Sequence, residues 1–396
     1  MVQAEIVRAI SGAARVGPIL AKPTVSSTMR NTVSSNRAKL RVLRHAAVIA
    51  AFVALPLLHA AAFATLPDIV TSSTVPANGD LNPYGVAVVP SGLPAGSAIK
   101  AGDILVSNFN NKNNLQGTGS TIVKLTPNGV IAPSGTASVF FDAGAGHGLT
   151  TALGVLQRGY VLVGNVPTTD GTSKTVKPGA LLVLDRNGKQ ISSIPASTLD
   201  GPWDLTIVNS FDHAQVFVSN VLNGTVSRLD LMVGKTSVTV KRATRIASGY
   251  THVPNDAALL LGPTGLAYDQ FRDVLYVAST GDNAIYAIDH AGSANAPVIR
   301  GKLISKNPHL RGPLALALAP NGDLLAANGD AVNADPKQPS EIVELTQTGR
   351  FVGEFDVDSG QGGAFGLAIA ASPTGDFQLV VVDDVTNSLA VLPLNP

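Results

Sequence analysis

One short pattern recurs along this chain and leaves few folds open to it. From Gly262 the sequence reads GPTGLAYDQFRDVLYVASTGDNAIYAID: a Gly-Pro start, an apolar segment, a charged turn, a second apolar run, a Gly-Asp-Asn turn and a third apolar run. Related stretches start at Asn82 (NPYGVAVVPSG), Gly148 (GLTTALGVLQRGYVLVGN), Gly201 (GPWDLTIVNSFDHAQVFVSN), Gly312 (GPLALALAPNGDLLAANGD) and Gly363 (GAFGLAIAASPTGDFQLVVVDD). In chain order the starts lie 66, 53, 61, 50 and 51 residues apart. Apolar residues alternate within each unit, and Gly, Pro, Asn and Asp bound them, which is the signature of short strands. Each unit reads as four strands. A lone four-stranded sheet cannot bury both faces, whereas a ring of such sheets packs every one against two neighbours. Six units therefore predict an all-β, six-bladed β-propeller of four-stranded antiparallel blades over residues 65–396.

The last unit supplies only three strands before VTNSLAVLPLNP ends. The β-branched segment Leu66–Pro76, LPDIVTSSTVP, precedes the first unit and has no other partner. Placed outside the sixth blade, this N-terminal strand closes the ring and covers an exposed edge. The alternative for this segment is a linker.

Ahead of it, Arg37, Lys39, Arg41 and Arg44 precede the apolar run Ala46–Ala64, which ends Ala62-Phe63-Ala64. A basic start, an apolar run and small residues around the cut are the parts of an export signal, here residues 1–64 with Met29 read as the working start. An uncleaved anchor is the competing reading, because the run approaches the length of a membrane span. Cleavage makes the mature protein secreted or periplasmic, with no membrane span. Removal of residues 1–64 leaves 20 basic and 26 acidic residues, a balance of −6. Nucleic-acid binding asks for the opposite charge. Cysteine is absent, which excludes disulfides and thiolate metal sites.

The second strands end at Asn108, Asn165, Asn220, Ser279, Asn328 and Asp383. In a propeller these positions form a ring around the axis. Amides there can orient a polar ligand, or they can serve their own turns. The first strands start at Tyr84, Thr150, Trp203, Thr264, Leu314 and Phe365, which places aromatic residues at the same end. His147, His252 and His309 lie in connections that reach that face, whereas His213 and His290 fall on the opposite one. The candidate ligand-binding set is accordingly Asn108, Asn165, Asn220, Asn328, Asp383, Tyr84, Trp203, His147, His252 and His309. No required cofactor is read from the sequence. Calcium is a chemically possible divalent cation for such oxygens, though a single carboxylate in the ring gives it little charge.

The segment YVASTGDNAIYAID resembles the NHL repeat, and the six units are similar to the propellers of gluconolactonases and streptogramin lyases. Arg stands before the third strand in the NHL pattern, where this chain has Ala284 and Ser388. The gluconolactonase resemblance implies a metal held by a first-blade Glu with Asn and Asp from other blades. No Glu occurs between Glu5 and Glu341, and Tyr84 stands at the first-blade position. A serine-hydrolase elbow, a phosphate loop and zinc-ligand spacing are also missing. Glu341, Glu344 and Glu354 fall on outer strands of the fifth blade and are expected in solvent. The reading is an exported, monomeric binding module taking a small molecule, glycan or protein at its central mouth; the alternative is a lactonase- or esterase-like hydrolase or a lyase. Catalytic and metal-binding residues are left unassigned. N-terminal sequencing of the exported protein is expected to begin Thr65-Leu66-Pro67; recovery of the intact chain in the cytosol would contradict export.

Overall fold

The computed structural model describes residues 70–125, 137–329, 341–358, 362–371 and 376–394. The export-signal segment, the long turn over residues 330–340 and the start of the closing segment lie outside the described residues. Among the described residues no helix is long and apolar enough to cross a membrane.

Six sheets are arranged as a β-propeller. The innermost strands of blades 1 to 6 are Leu81–Val88, Leu149–Val155, Pro202–Asn209, Pro263–Asp269, Pro313–Leu318 and Ala364–Ala371. Each pairs with the next strand of its own blade on one side only. Consecutive innermost strands touch around the axis, and blade 6 touches blade 1. Four blades draw all their strands from one unit, and blade 6 takes its outermost from the N-terminal segment. Blade 3 gains a fifth, because Val298–Ile299 from the last connection of blade 4 pairs parallel with Ala247–Ser248.

Alternation within the strands explains the packing. In the second strand of blade 1, Leu105 enters the apolar cluster shared with blade 2, while its neighbours Ile104 and Val106 enter the one shared with blade 6. In blade 4, Leu275 and Val277 face blade 3, and Tyr276 and Ala278 face blade 5. Both faces of each middle strand are thus buried, so these strands read as almost continuous apolar runs. The clusters between blades number six, one per interface. Where the innermost strands converge, side chains run out of room. A Cβ on Gly85 would lie 2.8 Å from the carbonyl oxygen of Thr151, and one on Gly366 would lie 2.5 Å from that of Tyr84. Both glycines allow adjacent blades to approach at the backbone.

The ring closes as the β-branched N-terminal segment suggests. Val70–Ser73 pairs antiparallel with Ser388–Val391 as the outermost strand of blade 6. Beyond that strand the backbone N–H and Oγ1 of Thr74 both donate to the Asn387 carbonyl, at 3.0 and 2.9 Å. The Asn387 side chain then accepts the N–H of Asn82 at 2.8 Å, so one residue of blade 6 fastens both ends of the segment entering blade 1. Loss of this strand exposes the edge of Ser388–Leu394 and unfastens blade 1. A chain lacking residues 65–76 is expected to melt at lower temperature and aggregate more readily than the mature protein. Equal melting of the two would contradict the role assigned to the strand.

Candidate functional site

The second strands end at one face of the ring, the upper face, and the ring positions are buried there. Their side chains fasten the connections that feed the innermost strands. Oδ1 of Asn165 accepts the N–H of Gly148 at 2.8 Å, that of Asn220 accepts the N–H of Asp200 at 3.2 Å, and that of Asn328 accepts the N–H of Arg311 at 2.9 Å. Asn108 donates to the Thr74 carbonyl and to Thr121 Oγ1. Asp383 accepts the N–H groups of Val385 and Thr386 within its own turn. In blade 4, where the position holds Ser279, Asp282 does the corresponding work. It accepts the Ser279 hydroxyl at 2.7 Å and the N–H of Thr251 at 3.2 Å. A common constraint, the backbone polar groups of buried connections, thus places amides and carboxylates at equivalent positions.

Beneath the ring the axis is plugged. Tyr84 stacks on Phe109 at a centroid separation of 4.8 Å and meets Phe365 edge-on at 4.8 Å and Trp203 edge-on at 5.8 Å. Leu260, Leu314 and Val221 complete this axial apolar cluster. Trp203 is fully buried within it, whereas the sequence places it on the wall of the mouth. Leu260 comes from a hairpin, Val253–Asn255 with Leu259–Leu261, in the connection between blades 3 and 4.

Above the plug lies an upper basin of about 280 Å³. Tyr84, Leu260, Leu314 and Phe365 form its apolar floor, and Asn82, Asn110, Asn114, Gln116, Thr280 and Asp384 supply its polar side chains. Oδ1 of Asn82 and Oδ1 of Asn110 are buried without a hydrogen-bond partner. The Asn110 amide nitrogen donates to Asn114 Oδ1 at 2.7 Å, which turns its own carbonyl oxygen free. Of the ten residues singled out from the sequence, Tyr84 alone lines this basin. The signal for the others was positional: Thr280, Gly329 and Asp384 each follow a ring position by one residue, and strand alternation turns that next residue the other way. Asn110 and Asn114 lie in the first long turn, NFNNKNNLQGTGS.

The three histidines do not gather at the basin. Nδ1 of His147 is 3.2 Å from the Gly144 carbonyl, and exposed His252 has Nδ1 2.9 Å from the Tyr250 carbonyl. His309 stacks on Phe351 at 4.1 Å, and its Nδ1 lies 2.8 Å from Glu354 Oε2. Glu354 is therefore held against blade 5 with its side chain 14% exposed, not in solvent as its place on an outer strand suggests.

The gluconolactonase resemblance raises a divalent cation, and the ring is a poor donor set for one. The carbonyl oxygens of Asn165, Asn220 and Asn328 already accept backbone N–H groups, and the Asp383 carboxyl is raised to about 6 by burial and by the Asp358 carboxyl beside it. Hard cations need several free, charged oxygens. Among the described residues no three His, Asp or Glu side chains are grouped as metal ligands. Asp384, the carboxylate of the basin, is likewise pushed up to about 6 by burial and by Asp383.

Comparison with solved structures bears on the fold. The chain is similar to a gluconolactonase from Xanthomonas campestris, with 15% identity, 85% of this chain and 93% of that chain covered, and a TM-score of 0.51. A streptogramin B lyase matches with 12% identity, 83% and 98% coverage and a TM-score of 0.45. No protein-family profile and no curated protein matches the sequence. At such identities the likeness establishes the propeller alone.

The acids at the mouth set a direction for pH dependence. A carboxyl whose folded pKa lies above its unfolded value binds extra protons when folded, so its contribution is present at low pH and lost as pH rises through the folded value. For Asp384 that window runs from its ordinary value of 3.8 to about 6. Asp384→Asn is expected to flatten the fall in stability across this window and to be more stable than the parent at pH 8, by about 1–2 kcal/mol. Melting curves from pH 4 to 8 check it; parallel profiles would contradict the assignment.

Proposed function

We propose that the protein is an exported binding module whose upper basin takes a small polar ligand with one flat or apolar face. The observation that carries this reading is the make-up of the basin, an aromatic floor of Tyr84 and Phe365 rimmed by the amide side chains of Asn82, Asn110, Asn114 and Gln116. Amides can donate to and accept from a polar ligand, while Tyr84 and Phe365 offer contact area to a sugar-like ring. Exported character rests on the N-terminal segment, and the surplus of acids beyond it fits a neutral or cationic ligand better than an anionic one. The Asn82 backbone supports the same reading, since this non-glycine residue is held at φ 58° by the Asn387 clasp. Strain of this kind persists where surrounding structure enforces it, and it collects at functional sites.

The hydrolase alternative draws on the likeness to a gluconolactonase, which speaks to the fold. A reaction at this basin would need a general acid or base, and Asp384, with its raised pKa, is the group in position. Titration of the mature protein with glucose and with glucono-1,5-lactone, followed by Trp203 fluorescence and calorimetry, separates the readings. Saturable binding without turnover is expected. Asn110→Ala should weaken binding by about 1–3 kcal/mol. Lactone turnover lost in Asp384→Asn would favour the hydrolase, and no binding of either compound would remove sugars and lactones as ligands.

A further inference from the structure

The axial plug has a second side. Below it the innermost strands enclose a channel of about 220 Å³ to which all six blades contribute. Its inner end is the layer directly beneath the aromatic rings, formed by Thr151, Asp204, Ala315 and Gly366. At the other end Tyr268, Leu318 and Ile369 are half-buried. The channel is therefore a well, closed by the plug and open on the lower face. From Asp204 to the outer layer is three residue steps at about 3.3 Å, a depth of roughly 10 Å.

Asp204 stands at the bottom of this well. Protein surrounds it on every side, yet it keeps some surface toward the channel. Each carboxylate oxygen accepts one backbone bond, Oδ1 from Leu205 N–H at 2.8 Å and Oδ2 from Leu266 N–H at 2.9 Å. A carboxylate has about four acceptor sites, so two remain. Among the described residues no cationic side chain lines the well. The other titratable group facing it is Tyr268, whose hydroxyl is engaged with Asp273 at 2.8 Å.

Fastening blade 3 to blade 4 does not account for the charge. Elsewhere around the axis adjacent blades are fastened by neutral hydroxyls, which donate to carbonyls where Asp204 accepts an N–H. Ser107 Oγ donates to the Thr150 carbonyl at 2.8 Å, Thr150 Oγ1 to the Pro202 carbonyl at 2.8 Å, and Thr264 Oγ1 to the Pro313 carbonyl at 3.1 Å. A hydroxyl at the blade 3 position would avoid the desolvation that raises the Asp204 carboxyl to about 7. A buried acid retained where a hydroxyl suffices has a use for its charge.

We propose that this lower well binds the ammonium head of an unbranched primary amine, with Asp204 as its counter-ion. Three features select that chemistry. An ammonium brings three donors and no acceptor. Two can meet the open lone pairs of Asp204, and the third can meet a carbonyl of the strand edges that face the channel, which pair with no other strand on that side. The well holds about 220 Å³ along a depth of roughly 10 Å, a shape that suits a chain extended along the axis. The site is separate from the upper basin and does not depend on what that basin binds.

Calorimetry with n-butylamine tests this, with n-butanol, tetramethylammonium and calcium chloride as comparisons. The mature protein should bind the amine saturably and bind each comparison at least tenfold more weakly. Asp204→Asn should lose at least tenfold in amine affinity. Should that variant fail to fold, titration of the parent at pH 7 in two buffers of different ionisation enthalpy gives a second reading. Ammonium entry ionises the fraction of Asp204 still protonated, so binding should release on average about half a proton per amine to the buffer. Absence of saturable amine binding, equal affinity in Asp204→Asn, no proton release, tighter binding of calcium or tetramethylammonium, or loss of binding in Asp384→Asn instead would each overturn the proposal.

Discussion

Every sheet in this molecule is apolar on both faces, and that constraint governs the rest. A sheet of this kind has no stable exposed side, so the ring must close or leave two faces in water. Closure falls on the short contact between Val70–Ser73 and Ser388–Val391 and on the clasp at Asn387. Once the ring is shut, the six clusters between blades become equivalent, and no interface is an end. Cooperativity follows, because opening one interface uncovers apolar surface on two sheets at once.

Closing six sheets around an axis creates a second problem, which is what to do with the centre. Backbone edges of the innermost strands face one another there without hydrogen-bonding partners. The chain answers in two ways. Hydroxyls and one carboxylate bridge adjacent blades, and a cluster of Tyr84, Phe109, Trp203 and Phe365 fills the upper part of the axis. The plug converts what would be a through-channel into two separate cavities. Its position explains why the single Trp is buried: at this layer six strands converge, and a large flat ring spans a gap that aliphatic side chains would leave empty.

Much of this was legible in the sequence. Repeat spacing gave the blade count, period-two alternation gave the strands, and the three-strand last unit pointed to the N-terminal segment as the missing strand. The ring of Asn108, Asn165, Asn220, Asn328 and Asp383 was also legible as a set of equivalent positions. The direction of those side chains was not. An Asn at a strand end carries the same letter whether its carbonyl meets a ligand or the N–H of Gly148, because the partner comes from a connection 17 residues away. The basin residues Asn82, Asn110 and Asp384 were hidden for a related reason. Each sits one or two positions from a recognisable turn residue, and only the register of the strand pair decides which of them faces the mouth.

Asp204 escaped notice for the opposite reason. It lies inside an apolar strand of ordinary appearance, PWDLTIVN, where an acid reads as an interruption. Its meaning depends on comparison across blades. The layer it belongs to holds Gly85, Thr151, Gly265, Ala315 and Gly366, all small or neutral residues that let neighbouring backbones approach. A carboxylate in that company is raised to about 7 chiefly by desolvation, against the two backbone bonds that lower it. The same reasoning separates it from Asp383 and Asp384. Burial and Asp358 raise Asp383, and burial and Asp383 raise Asp384, whereas Asp204 has no charged neighbour to explain its state. Burial without a partner is costly to maintain and simple to relieve, since a single cation entering the well restores the ionised form. The geometry of the axis thus sets a lone buried carboxyl in the lower well, on the far side of the plug from the basin.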